Sequence, residues 1–151
     1  MYPFNKFFLS LNRKFNVSFK HTYKYSISNF IYAGIVPHDD LELLNILQGL
    51  LEKIDYNVTT AVNGKECLRE LENGFQGIII LDVMMPVLNG IDTIKKMIQE
   101  GFIEFNKIIL LTAKKIQGEE FDDIYSYIDR YVHKPFDIDE LLKAIDELDH
   151  K

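Results

Sequence analysis

The chain has 151 residues, enough for one compact domain and little more. At 47% apolar and 26% charged it has an ordinary globular make-up, and no apolar run approaches the roughly 20 residues that a membrane-spanning helix needs. The single cysteine, Cys67, excludes an internal disulfide framework and fits a reducing compartment. The net charge of −6 divides into +5 over residues 1–30 and −11 over the rest, and so acidic a body argues against nonspecific DNA binding.

Residues 1–28 mix Tyr2, Phe4, Phe7, Phe8, Phe15, Phe19, Tyr23 and Tyr25 with basic and polar residues. They read as an atypical segment: a partner- or membrane-surface stretch, a disordered tail, or upstream sequence translated from a wrongly chosen start. The segment has neither the apolar core nor the cleavage site of a secretory signal. A domain is expected over 29–151.

Phe30–Val36 is the first strand-like run. Leu43, Leu44, Leu47, Leu50, Leu51 and Ile54 then recur at three- and four-residue steps and share a helix face. A second strand is predicted over Asn57–Val62, and a helix over Gly64–Asn73 with Gly74 ending it. Cys67 falls in that helical pattern with Leu68 and Leu71, as a buried thiol does. Ile78–Asp82 is a continuous apolar run closed by an acid. Asn89-Gly90 marks a turn before a helix carrying Ile91, Ile94 and Ile98. Lys107–Thr112 repeats the buried-strand pattern, a weaker helix follows over Glu119–Tyr125, and a fifth strand over Arg130–His133. Asp137-x-x-Glu140 reads as a capping box for the last helix, with Leu141, Leu142, Ile145 and Leu148 inward.

Five alternations of strand and helix predict an α/β fold, a doubly wound parallel sheet covered on both faces. Ligands in such folds bind beyond the carboxyl ends of the strands. Those ends are polar here: His38-Asp39-Asp40, Asp82, Thr112 and Lys134-Pro135. Neighbouring carboxylates call for a counter-ion such as Mg²⁺, which takes oxygen ligands. A carboxylate can attack phosphorus, and a lysine with a hydroxyl can then hold the charge on the transferred group. Taken singly, each residue has a plain structural use: Asp82 or Asp40 as a cap, Thr112 as a strand end, Lys134 as a solvated charge, Tyr131 as a core aromatic.

Over about residues 29–149 the sequence resembles the receiver family of two-component response regulators, including single-domain, chemotaxis-regulator-like members. The resemblance rests on Ile80-Leu81-Asp82-Val83-Met84-Met85-Pro86 with Asn89-Gly90, on Leu111-Thr112-Ala113, and on Tyr131-Val132-His133-Lys134-Pro135-Phe136. The gaps of 30 positions from Asp82 to Thr112 and 22 from there to Lys134 fit as well. It implies a flavodoxin-like (βα)5 fold with strand order 2-1-3-4-5. It implies that Asp82 accepts a phosphoryl group from a histidine kinase or phosphotransfer protein. Asp39, Asp82 and the Met84 backbone carbonyl would hold Mg²⁺, with His38 and Asp40 beside the metal. Thr112 and Lys134 would contact the phosphoryl oxygens, the bond from Lys134 to Pro135 would be cis, and Tyr131 would move inward with Thr112 as the switch. Such a protein is a cytoplasmic phosphoacceptor that catalyses its own phosphorylation and dephosphorylation, not an enzyme in the usual sense. Its target would bind the face made by helix four, strand five and helix five. With no room after Lys151 for an output domain, protein contact rather than direct DNA binding is expected.

The pattern breaks in places. His38 stands where a first acid is usual, so Mg²⁺ is expected to bind more weakly. Pro37 and Gly34 weaken the first strand, and Tyr127 falls where the family often has a left-handed glycine. Lys114 and Met84 occupy positions that tune acyl-phosphate hydrolysis in the family. These departures motivate a competing reading, a receiver-like binding module that does not use phosphate. A flavin- or small-ligand-binding protein is disfavoured, since no Gly-rich phosphate loop follows strand one.

Overall fold

The computed structural model describes residues 29–33, 41–53, 56–113 and 119–149, with the side chains of 29–33, 41, 43, 119 and 120 left aside. The expectations for residues 1–28, Gly34, Pro37, His38, Asp39, Asp40, Ile54 and Lys114 lie outside the described residues. Along the chain run β1 (Asn29–Ala33), α1 (Leu41–Glu52), β2 (Asn57–Ala61), α2 (Gly64–Glu72) and β3 (Ile78–Asp82). They are followed by α3 (Gly90–Gln99), β4 (Lys107–Thr112), α4 (Glu119–Asp122), β5 (Arg130–His133) and α5 (Ile138–Asp149).

The strands form one sheet in the order β2-β1-β3-β4-β5, and every neighbouring pair is parallel. β3 is buried at all five positions because both faces of the sheet are covered. Side chains alternate between the faces, and the core divides accordingly. Ile79, Leu81, Ile108 and Leu110 pack under Cys67 and Leu71 of α2 and Ile94 and Met97 of α3. Ile78, Ile80, Ile109 and Leu111 pack under Leu47 and Leu51 of α1 and Leu141, Leu142, Ile145 and Leu148 of α5. The periodic residues named from the sequence for α2, α3 and α5 are the ones that face the sheet.

Helix ends follow the expected chemistry. Asn63 caps α2 by accepting from Glu66 N, Asn89 caps α3 by accepting from Asp92 N, and Asp137 caps α5 by accepting from Glu140 N. Gly74, at φ +95°, follows α2.

Two expectations need correction. Helix four does not run to Tyr125: it ends at Asp122, and a 3-10 turn follows over Tyr125–Tyr127. Tyr127 is not strained into a left-handed conformation either. The turn closes into extended backbone at Ile128 (φ −98°, ψ 120°), so no positive φ is needed there. Buried Ile124 and Ile128 anchor the two ends of the turn. A second 3-10 helix, Phe102–Phe105, links α3 to β4 and was not foreseen.

Candidate functional site

The carboxyl ends of β3, β4 and β5 are tied together by backbone hydrogen bonds. Val83 N donates to Leu111 O at 3.0 Å, and Lys134 N donates to Thr112 O at 2.8 Å. These bonds continue the ladder one residue past the strands, so Asp82, Thr112 and Lys134 stand side by side at the sheet's edge although far apart in sequence.

Asp82 is 3% exposed. Its Oδ2 lies 2.5 Å from Lys134 Nζ, and its Oδ1 accepts from Met84 N at 2.9 Å. Both carboxylate oxygens are thus oriented, one by a cation and one by the main chain. The amine compensates the charge that burial would otherwise penalise. Thr112 is as buried as Asp82, and the Lys134–Pro135 bond is cis as expected. Gly90 donates to Val83 O, and a Cβ there would come within 2.4 Å of the Asp82 carbonyl oxygen. The Asn-Gly pair read as a turn is therefore also a point where helix α3 touches the backbone of the acidic residue.

Tyr131 sits on β5 opposite Leu110. Its ring stacks on Tyr125, centroids 5.7 Å apart and planes at 27°, and its hydroxyl donates to Tyr125 O across a long 3.4 Å. Partial burial, and secondarily the neighbouring Tyr125, hold its phenol above the usual tyrosine range. His133 is exposed. Cys67 is fully buried, and its thiol is pushed up to about 12 by burial, with Glu70 adding to the effect.

The loop after Asp82 holds what sequence reasoning missed. Val87 has φ +66° and Leu88 N donates to Pro86 O at 2.7 Å, a tight turn closed across one residue. Nothing in a valine signals that conformation. Met84 and Val87 are both largely exposed on this loop.

As for a metal, the Asp82 carboxylate offers oxygens, the kind of donor Mg²⁺ prefers. Each Asp82 oxygen accepts one bond and keeps acceptor capacity. This carboxylate fits such an ion. Among the described residues no three His, Cys, Asp or Glu side chains cluster to hold a metal without help.

The family model described as "Response regulator receiver domain" matches residues 35–146. The chain belongs to this family. Among curated proteins, the receiver is 38% identical over 118 residues to the response regulator SaeR of Staphylococcus aureus, covering 76% of this chain and 49% of that one. It is 37% identical over 114 residues to the transcriptional regulatory protein CpxR homolog of Haemophilus influenzae, covering 74% and 47%. The receiver thus spans about half the length of these relatives. Among solved structures, a CheY-like receiver domain protein of Methanospirillum hungatei superposes with a TM-score of 0.68 at 25% identity, covering 81% of this chain and 94% of the other. The response regulator TrrA of Thermotoga maritima, solved in complex with Mg²⁺ and BeF, gives 0.59 at 28% identity, covering 80% and 98%. Among the described residues no helix is long and apolar enough to cross a membrane.

Proposed function

We propose that this receiver, spanning residues 29–151, is a phosphorylation switch. Asp82 takes a phosphoryl group from the phosphohistidine of a histidine kinase or phosphotransfer protein in the cytoplasm. The observation that carries the reading is the buried Asp82 carboxylate with Lys134 Nζ on one oxygen and the Met84 N–H on the other. In the transfer a carboxylate oxygen forms a bond to phosphorus as the donor's nitrogen–phosphorus bond breaks. The freed imidazole keeps the electron pair. Lys134 meets the charge gathered on the phosphoryl oxygens, and the Thr112 hydroxyl donates to one of them. This division of labour suits phosphoryl transfer, where positioning and positive charge do most of the work.

Asp39, Asp82 and the Met84 carbonyl would hold Mg²⁺, as the magnesium complex of TrrA encourages. When bound, the ion supplies positive charge that offsets the clustered carboxylates and the incoming phosphoryl group. His38 in place of an acid lowers the negative charge around that position, so His38→Asp is expected to tighten Mg²⁺ binding in a titration. Unchanged affinity contradicts that role.

Adding charge at Asp82 biases Thr112 and Tyr131 between two positions and so alters the α4–β5–α5 face, where a target protein reads the state. Water hydrolyses the acyl phosphate and returns the carboxylate. Output by protein contact is part of the proposal. A transcriptional regulator among the relatives, twice as long as the matched stretch, makes DNA-directed output through further sequence the natural comparison.

The test is incubation with acetyl phosphate and Mg²⁺. A mass gain of about 80 Da, one phosphoryl group, is expected for the wild type and none for Asp82→Asn. No gain under any metal condition overturns this reading and favours the phosphate-independent binding module that His38 suggests.

A further inference from the structure

The loop that carries the Met84 N–H is held at its far end by a helix that contributes nothing to the pocket. Gly64, the first residue of α2, donates its N–H to Leu88 O at 3.1 Å. On α3, Thr93 Oγ1 donates to Asn89 O at 2.6 Å. The two helix starts meet so closely that a Cβ on Gly64 would lie 1.8 Å from Thr93 Oγ1 and 2.8 Å from Leu88 O. Neither neighbour can yield easily. Thr93 is wholly buried with its hydroxyl engaged, and Leu88 O is main chain. The start of α2 is itself fixed, because Asn63 Oδ1 accepts from Glu66 N while Glu66 Oε2 accepts from Val62 N. At the other end Gly90 presses on the Asp82 carbonyl.

We propose that the Gly64–Thr93 contact is a positioning clamp for the loop after Asp82, setting where the Met84 N–H stands and so how the carboxylate is turned. The proposal rests on Asp82 being the phosphoacceptor. Any side chain at position 64 must displace Leu88 through Thr93. The strained turn at Val87 leaves the loop little slack to absorb that shift before it reaches Met84. A displacement of about 1 Å at a reacting group costs on the order of 100-fold in rate.

The experiment compares wild type, Gly64→Ala and Thr93→Val by the Met84 amide resonance and by phosphorylation from acetyl phosphate with Mg²⁺. Gly64→Ala, folded by circular dichroism, is expected to move the Met84 amide resonance. It is also expected to slow maximal phosphorylation by about 10- to 100-fold with little change in the half-saturating phosphodonor concentration. Thr93→Val keeps the volume but loses the hydroxyl bond, and a smaller loss in the same direction is expected. A folded Gly64→Ala with wild-type rate and amide resonance overturns the clamp. Should Gly64→Ala not fold, an unmoved amide and unchanged rate in Thr93→Val overturn it instead. Should the wild type take no phosphoryl group, the reading of Asp82 fails, and the Met84 amide alone still decides whether the clamp holds the loop.

Discussion

Lys134 and Asp82 are 52 positions apart in sequence and meet as an ion pair, Nζ to Oδ2, at 2.5 Å. The acid's side chain is 4% exposed and the lysine's 21%, so the pair is too buried for solvent to replace a missing partner fully. Lys134→Ala is therefore expected to cost about 2–3 kcal/mol of unfolding free energy near neutral pH. Adding Asp82→Asn to it should recover part of that loss, because the uncompensated charge is gone. Urea unfolding of the wild type, both single variants and the double variant measures the coupling. Strict additivity contradicts a working ion pair.

The cysteine makes a pH prediction. Burial first, and Glu70 second, raise the Cys67 thiol from 9.0 to about 12 in the fold. Unfolding returns it to its ordinary range. The folded state therefore binds more protons than the unfolded state between those limits. The resulting stability is fully present below pH 9 and is lost as pH rises toward 12. Tyr131, raised in the same direction, adds to the loss above pH 10. The expected outcomes are no reaction with a thiol reagent at pH 8 in native buffer, one equivalent reacted in urea, and a Cys67→Ala variant whose alkaline unfolding limb is shallower. Rapid native labelling contradicts the burial.

Val87 offers a stabilising change. A β-branched residue at φ +66° carries strain of about 1–3 kcal/mol, and the residue is 79% exposed, so little packing is at stake. Glycine adopts this conformation freely but loses about 0.5–1 kcal/mol through the entropy of the unfolded chain. Val87→Gly is expected to raise the unfolding free energy by about 1 kcal/mol, the balance of those terms. A lowered urea midpoint contradicts the strain.

How far the sequence spoke depended on how local each signal was. Ile78–Asp82 and Lys107–Thr112 were legible because strands buried on both faces read as unbroken apolar runs, and the polar residue closing each run marks the strand end. Asp82 could be named for the same reason, whereas Lys134 follows β5, a strand only partly buried, and was legible through the Lys134-Pro135 motif. The irregular link between α4 and β5 was not legible. Its course depends on Ile124 and Ile128 reaching the core from either side of Tyr125–Tyr127, a tertiary constraint that overrides local propensity. The conformation of Val87 was hidden too, because its cause lies in the closure between Pro86 and Leu88 and not in valine itself.

Asn106 was likewise invisible in the sequence, and it carries the last prediction. The residue is 6% exposed between the 3-10 helix Phe102–Phe105 and β4. Its Oδ1 accepts from the buried Gly77 N at 2.9 Å, and its Nδ2 donates to Phe102 O at 2.8 Å. Lys107 N in turn donates to Gly77 O at 2.9 Å, so Gly77 is held on both its polar groups just before β3. One amide side chain thus bonds the buried main-chain donor before β3 and the first carbonyl of the 3-10 helix before β4. Asn106→Ala orphans the buried Gly77 N–H and is expected to cost about 1–3 kcal/mol. Asn106→Asp keeps the acceptor but sets a carboxylate against the Phe102 carbonyl. Burial and that oxygen raise the acid's pKa above its unfolded value, so the variant should be closest to wild type below pH 4 and should lose stability as pH rises. Urea midpoints of both variants at acidic and neutral pH check the sign. An Asp variant that gains stability with rising pH contradicts the bond from Nδ2 to Phe102.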